Sequence, residues 1–191
     1  MSRRIERFHS GNITPEMAEL FQESSNRIRL RRDASPAMKA LMDEEGRLNG
    51  PPSLWLLSPG VGKVFEAMQG AIRQTMTVSP RCAEIVILLV GHHCKSEFEI
   101  FAHKLAAKAV GLSDSEVEAL LADRDPGFSD PVERAAASAA KALLATGDLD
   151  DREYAKVVAH LGQRRLFEVT VLVGFYQAIA LQLNAFRVVP E

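Results

Sequence analysis

The chain has 191 residues, 23 basic against 25 acidic side chains and a formal charge of −2, with 47% hydrophobic residues. That length supports one substantial core, and the near balance of charge excludes a general pull toward nucleic acid or an anionic membrane. Two cysteines and the lack of a basic, apolar, small-residue leader point to a reducing, cytoplasmic setting.

Residues 1–13 carry Arg3, Arg4 and Arg7 with no clear period and read as an arm or a frayed end. Thr14-Pro15-Glu16 opens a helix bearing Met17, Leu20 and Phe21, which runs into the basic stretch Arg27-Ile28-Arg29-Leu30-Arg31-Arg32. With no aromatic residues interleaved, that stretch reads as a solvated or inter-subunit face rather than a phosphate site. Ser35-Pro36 starts a further helix ending near Gly46. Residues 48–59 form a turn-rich bridge that holds the only tryptophan, Trp55. Such a bridge either ties down the core or forms a pocket wall. Val61 to Gln74 is amphipathic, with Val64, Phe65, Met68 and Ile72 on one side.

The stretch from Ser79 to Gly111 reads as a helix, a tight polar break at Gly91-His92-His93-Cys94, and a second helix returning along the first. Ser79-Pro80 is a helix start, Ser96-Glu97-Phe98-Glu99 a capping-box pattern, and Gly111 a C-terminal stop. Ser113, Asp130 and Asp150 begin three more helices, with Gly147 and Gly162 ending the second and third; the last helix runs from about Gln163 to Phe186. β-Branched residues make strands the competing assignment for Ile85–Val90 and Val169–Val173, but the caps and the helical spacing of the flanks outweigh them. The expected fold is all-α. Leu166–Phe186 is apolar yet broken by Glu168, Gln177, Gln182 and Asn184, which argues against a membrane span. A helix apolar on nearly every side must be surrounded by protein, so a homo-oligomer is expected.

A chain reversal near His93 sets Glu84 beside His103, and Ser96, Glu99 and His103 share one stripe of the second helix. Four polar groups then converge among apolar neighbours, where unpaired groups are costly. They either satisfy one another as a structural network or carry chemistry; spacing alone supports both readings.

At these residues the chain resembles the carboxymuconolactone decarboxylase and alkylhydroperoxidase D superfamily. Its peroxidase branch carries a glutamate, eleven residues, Cys-x-x-Cys, three residues and a histidine. On this chain the pattern falls on Glu84, Ser96, Glu99 and His103, so the glutamate and histidine match and neither redox cysteine is present. The decarboxylase branch tends to carry a glutamate at the second cysteine position, as Glu99 does here. The resemblance implies a helical bundle around a central antiparallel hairpin, assembled as trimers or hexamers. It divides the chain into a helical arm, 1–47, packed on a carboxymuconolactone decarboxylase-like domain, 48–191.

Cys82 and Cys94 are twelve residues apart, about 18 Å along a straight helix. They cannot bridge within one subunit without unwinding the helix, which disfavours a dithiol peroxidase; Cys94, near a helix start, has the setting of a lowered thiol pKa but reads first as a loop cysteine without a role, and Cys82 reads as core. The expected chemistry is cofactor-free acid–base catalysis of a decarboxylation or proton transfer on a small lactone or keto acid. His103 shuttles the proton, Glu84 orients it, Glu99 is the general acid and Ser96 positions substrate. Trp55, Arg81 and His93 are the residues expected to meet substrate, Arg81 as partner for a carboxylate. No cofactor and no metal are expected. A zinc site of Glu99 and His103 with His92 or His93 is sterically feasible but matches no fixed motif. A non-catalytic relative that only binds a small molecule is the remaining alternative.

Overall fold

Capping chemistry accounts for most of the helix boundaries. The structure, a computed structural model, describes residues 3–31 and 36–190. Among these the helices are α1 (Ala18–Arg31), α2 (Pro36–Lys39), α3 (Gly50–Trp55), α4 (Pro59–Thr75), α5 (Pro80–His93), α6 (Glu97–Ala109), α7 (Asp114–Leu121), α8 (Pro131–Thr146) and α9 (Asp151–Phe186). The described residues contain no strand, only one isolated antiparallel bridge between Met42 and Leu48, so the fold is all-α. The expected helix start at Ser35, and Arg32 of the basic run, lie outside the described residues.

By internal contacts the chain divides into two compact units. One comprises the described residues up to Gln74 together with those from Leu181 onward; the other is Thr75–Ala180.

In the first unit, several expectations change. The N-terminal segment is anchored rather than frayed. Arg3 donates to Asn49 Oδ1 at 2.8 Å and to Ser53 Oγ at 3.1 Å, the Arg4 N–H donates to the Phe186 carbonyl, and Phe8 is buried. The helix expected to reach Gly46 stops at Lys39. Asp43 accepts the Arg47 N–H at 2.8 Å and Gly46 takes φ 78°, a turn that a helix cannot continue through. The bridge after Leu48 is a short buried helix, α3, with prolines in its first turn where no N–H is needed. Arg27 is not fully solvated: it pairs with Glu66 and donates to Gln69. On α4, Ile72 is buried but Val61, Val64 and Met68 are exposed. The helix turns its small residue inward instead, since a Cβ on Gly62 would lie 2.4 Å from the Trp55 carbonyl.

In the second unit α5 packs against α6, α7 and α8. Ser79 caps it by accepting the Cys82 N–H. All six residues from Ile85 to Val90 are buried. Burial of that block contributes on the order of 10 kcal/mol, against a helix-propensity cost below about 0.7 kcal/mol for each β-branched residue. Propensity is therefore outweighed, and the caps decide that the block is helical. Ser113 and Glu116 complete a reciprocal capping box on α7, Asp130 caps α8 and Gly147 ends it with φ 78°. α9 is broken at Gly162, with φ 71° and ψ 164°, where the sequence placed the boundary between two helices. By length and composition α9 is apolar enough to cross a membrane, but 56% of its most apolar window is buried in the protein.

Glu168 of α9 fixes the entry to α5. It is 6% exposed and accepts the N–H groups of Thr77 and Val78, each at 2.8 Å, and the Thr77 hydroxyl at 3.0 Å. Burial pushes its carboxyl up, but these donors and Arg164 outweigh burial and hold it below the usual carboxylate range. A depressed folded-state pKa means that the unfolded chain takes up the proton first as pH falls, so this stabilisation is present above the ordinary glutamate pKa and is lost as pH falls through the folded value. Glu168→Gln is expected to cost about 1–2 kcal/mol at neutral pH and to flatten the acid limb of the stability curve. Denaturant unfolding between acid and neutral pH checks this, with the two proteins converging at the acid end.

Candidate functional site

The α5–α6 hairpin closes tightly because Gly91 lacks a side chain. A Cβ there would lie 3.3 Å from Glu99 Cβ and 3.4 Å from Ile100 Cγ1. The sequence suggests a break at Gly91, but α5 continues through His93; the reversal falls at Cys94 and Lys95, where Lys95 takes φ 53°. The Ser96 N–H then returns to the Gly91 carbonyl at 2.9 Å.

Across this hairpin His103 Nδ1 lies 2.6 Å from Glu84 Oε2, and Nε2 lies 3.4 Å from Glu99 Oε2. Each nitrogen of one imidazole thus faces its own carboxylate. The side chains of His103, Glu84 and Glu99 are 10%, 16% and 4% exposed. With Glu84 ionised, Nδ1–H is the donor, which fixes the ring's orientation. The proton near Nε2 then belongs either to the ring or to Glu99, because two bare acceptors cannot satisfy each other. The edge of Tyr176 meets the ring, with centroids 5.2 Å apart and planes at 88°.

Ser96 occupies the N-cap of α6, but the expected capping box does not form: its side chain makes no cap hydrogen bond. Its hydroxyl is fully buried and has no hydrogen-bond partner among the described residues. Glu99, the other half of the pattern, turns toward His103 instead.

The remaining sequence candidates have partners of their own. Arg81 is engaged inside the fold by Glu133 at 2.7 Å, Glu116 at 2.5 Å and the Gly111 carbonyl, tying α5 to α7 and α8. Trp55 belongs to the first unit, where its indole N–H donates to Gln182 Oε1 at 3.2 Å and its ring lies against Phe65. His93 is exposed and lines a cleft of about 790 Å³ whose walls include none of Glu84, Ser96, Glu99 and His103. Tyr176 was not anticipated from the sequence; the only signal was a hydroxylated aromatic inside the apolar run of α9.

Both cysteines are free. Burial pushes the Cys82 thiol up, and burial together with the charge of Glu99 does the same to Cys94. Cys94 caps the C-terminus of α5, so the lowering expected from a helix start is not what its position supplies. No set of three or more His, Cys, Asp and Glu side chains suited to a metal is present among the described residues.

No protein-family model matches the chain, and no curated protein matches its sequence. Solved structures do match its fold. One is an Agrobacterium tumefaciens protein of unknown function, described as AhpD-like in antioxidant defence, at TM-score 0.63 and 18% identity, covering 70% of this chain and 92% of that one. A cysteine-to-alanine variant of the debrominase Bmp8, bound to 2,3,4-tribromopyrrole, matches at TM-score 0.71 and 12% identity over 100% of this chain and 93% of that one. A peroxidase-related protein from Silicibacter sp. TM1040 matches at TM-score 0.71 and 12% identity, covering 99% of this chain and 92% of that one. The chain therefore has the alkylhydroperoxidase D-like fold.

The geometry at Ser96 decides between two opposed effects. Loss of a working serine cap costs about 1 kcal/mol, whereas removing an unpartnered buried hydroxyl relieves a penalty of about 1–3 kcal/mol. Since no cap bond is made, Ser96→Ala is expected to leave stability unchanged or raise it by about 1 kcal/mol. Denaturant unfolding of both proteins checks this; a loss the size of a cap would show that the hydroxyl is engaged.

Proposed function

We propose that the chain is a cofactor-independent acid–base enzyme that moves a proton to or from carbon on a small carbonyl-containing acid or lactone, with His103 as the shuttle. The observation that supports this most strongly is the imidazole flanked by two carboxylates, one on each nitrogen. Glu84, at the shorter contact, anchors the ring. Nε2, at the longer contact, is the working side, and Glu99 holds or returns the proton there. The Ser96 hydroxyl is a hydrogen-bonding group left over for a polar atom of the substrate.

In a decarboxylation the electrons of the breaking C–C bond stay on carbon as carbon dioxide leaves, and that carbon takes the proton from the His103–Glu99 pair. In the reverse sense the same pair removes a proton beside a carbonyl. The thiols support dithiol chemistry poorly: Cys82 and Cys94 stand at opposite ends of α5, about 18 Å apart along its axis, and both are held toward the protonated form.

Deuterium uptake beside the carbonyl in a panel of keto acids and γ-lactones, followed by proton NMR in heavy water, tests the reading. His103→Ala is expected to slow uptake by about 10²–10⁴-fold and Glu84→Gln to a lesser extent, with both variants still folded by circular dichroism. Uptake no faster than the buffer rate across the panel, or unchanged in His103→Ala, would remove acid–base catalysis at this site.

A further inference from the structure

The cleft at the hairpin turn has no part in the chemistry above, and its construction is specific. Its apolar floor is formed by Leu89, Ile100 and Leu144, from α5, α6 and α8. Lys95 and Lys141 stand at its rim, and neither ammonium group has an ion-pair or hydrogen-bond partner among the described residues. The acids of the lining are Asp123, which meets His92 Nε2 at 3.1 Å, and Glu97.

Backbone strain gathers at the same place. Three described non-glycine residues have left-handed backbones, Lys95 (φ 53°), Asp123 (φ 54°) and Arg187 (φ 53°), and the first two line this cleft. The position of Lys95, just past the end of α5, is one that glycine fills at least cost. A lysine there gives up local stability and lines the cleft. Strain of this kind collects at binding sites, and a volume of about 790 Å³ suits a small organic ligand.

We propose that this cleft is a second binding site, distinct from the His103 site, for an amphipathic organic carboxylate. Its apolar body lies on Leu89, Ile100 and Leu144, and its carboxylate lies between Lys95 and Lys141. An anion without an apolar body would leave the floor wet, and a neutral apolar molecule would leave both ammonium groups without a partner.

Titration of the full-length protein with sodium 4-phenylbutyrate, and separately with the neutral 4-phenylbutyramide, tests the assignment by calorimetry and methyl NMR. Saturable binding of the acid is expected, with shifts at the methyls of Leu89, Ile100 and Leu144 and an affinity about tenfold above that of the amide. Lys95→Gly is the decisive variant. It is expected to raise the thermal midpoint, because glycine adopts positive φ freely, and yet to weaken the acid by about fivefold. Lys141→Met is expected to weaken it similarly, and His103→Ala to bind as the wild type does. Equal affinity for acid and amide, no saturable binding, shifts centred on His103, or full affinity in Lys95→Gly would each overturn the proposal.

Discussion

The approach of α5 to α6 at Gly91 is the constraint on which the rest depends. Without a Cβ at that position the second helix lies close enough for His103 to reach Glu84 at 2.6 Å while its other nitrogen faces Glu99. The apolar block Ile85–Val90 supplies the burial that keeps the hairpin in place. Glu168, bonded to the two N–H groups just before α5, sets where that helix begins. The site is thus a consequence of packing around one helix, and its polar members are tolerated because they bond to one another.

One hydroxyl of the hairpin makes no hydrogen bond. Ser96 is a buried hydroxyl without a partner among the described residues, and Lys95 beside it holds a backbone conformation that costs energy. Both departures from local optimality fall between the end of α5 and the start of α6. A turn chosen for stability alone would carry glycine and a working cap. That it carries neither suggests that these residues are kept for what they present, a hydroxyl inward and an ammonium outward. The alkylhydroperoxidase D-like fold, as a scaffold, does not dictate one chemistry. The resemblance noted above lays the redox-cysteine positions of the peroxidase branch on Ser96 and Glu99, neither of which carries a thiol.

Much of the fold was legible because helix ends are written locally. Ser79-Pro80, the Ser113–Glu116 box, Asp130-Pro131, Gly147 and Gly162 each act within a few residues. The failures were local in origin and non-local in resolution. Gly50–Trp55 looked like a loop because prolines and glycine dominate it, yet prolines in a first turn are compatible with a helix, and Arg3 from far along the chain donates to Asn49 and Ser53. The side that α4 buries was hidden for the same reason: it is chosen by the close fit of Gly62 to the Trp55 backbone.

From the sequence alone, the all-α class, the hairpin and the juxtaposition of Glu84 with His103 could be established, since helical periodicity and a chain reversal are enough to set residues opposite one another. Only the tertiary structure could turn Glu99 away from its cap and onto His103, draw Arg81 into a pair of carboxylates, send His93 to a separate cleft and bring Tyr176 against the imidazole. Apart from Glu99, whose rival partners Ser96 and His103 are both within four residues, these outcomes are competitions between partners distant in sequence, and a side chain with several possible partners is assigned to one of them only when the packed helices fix the distances.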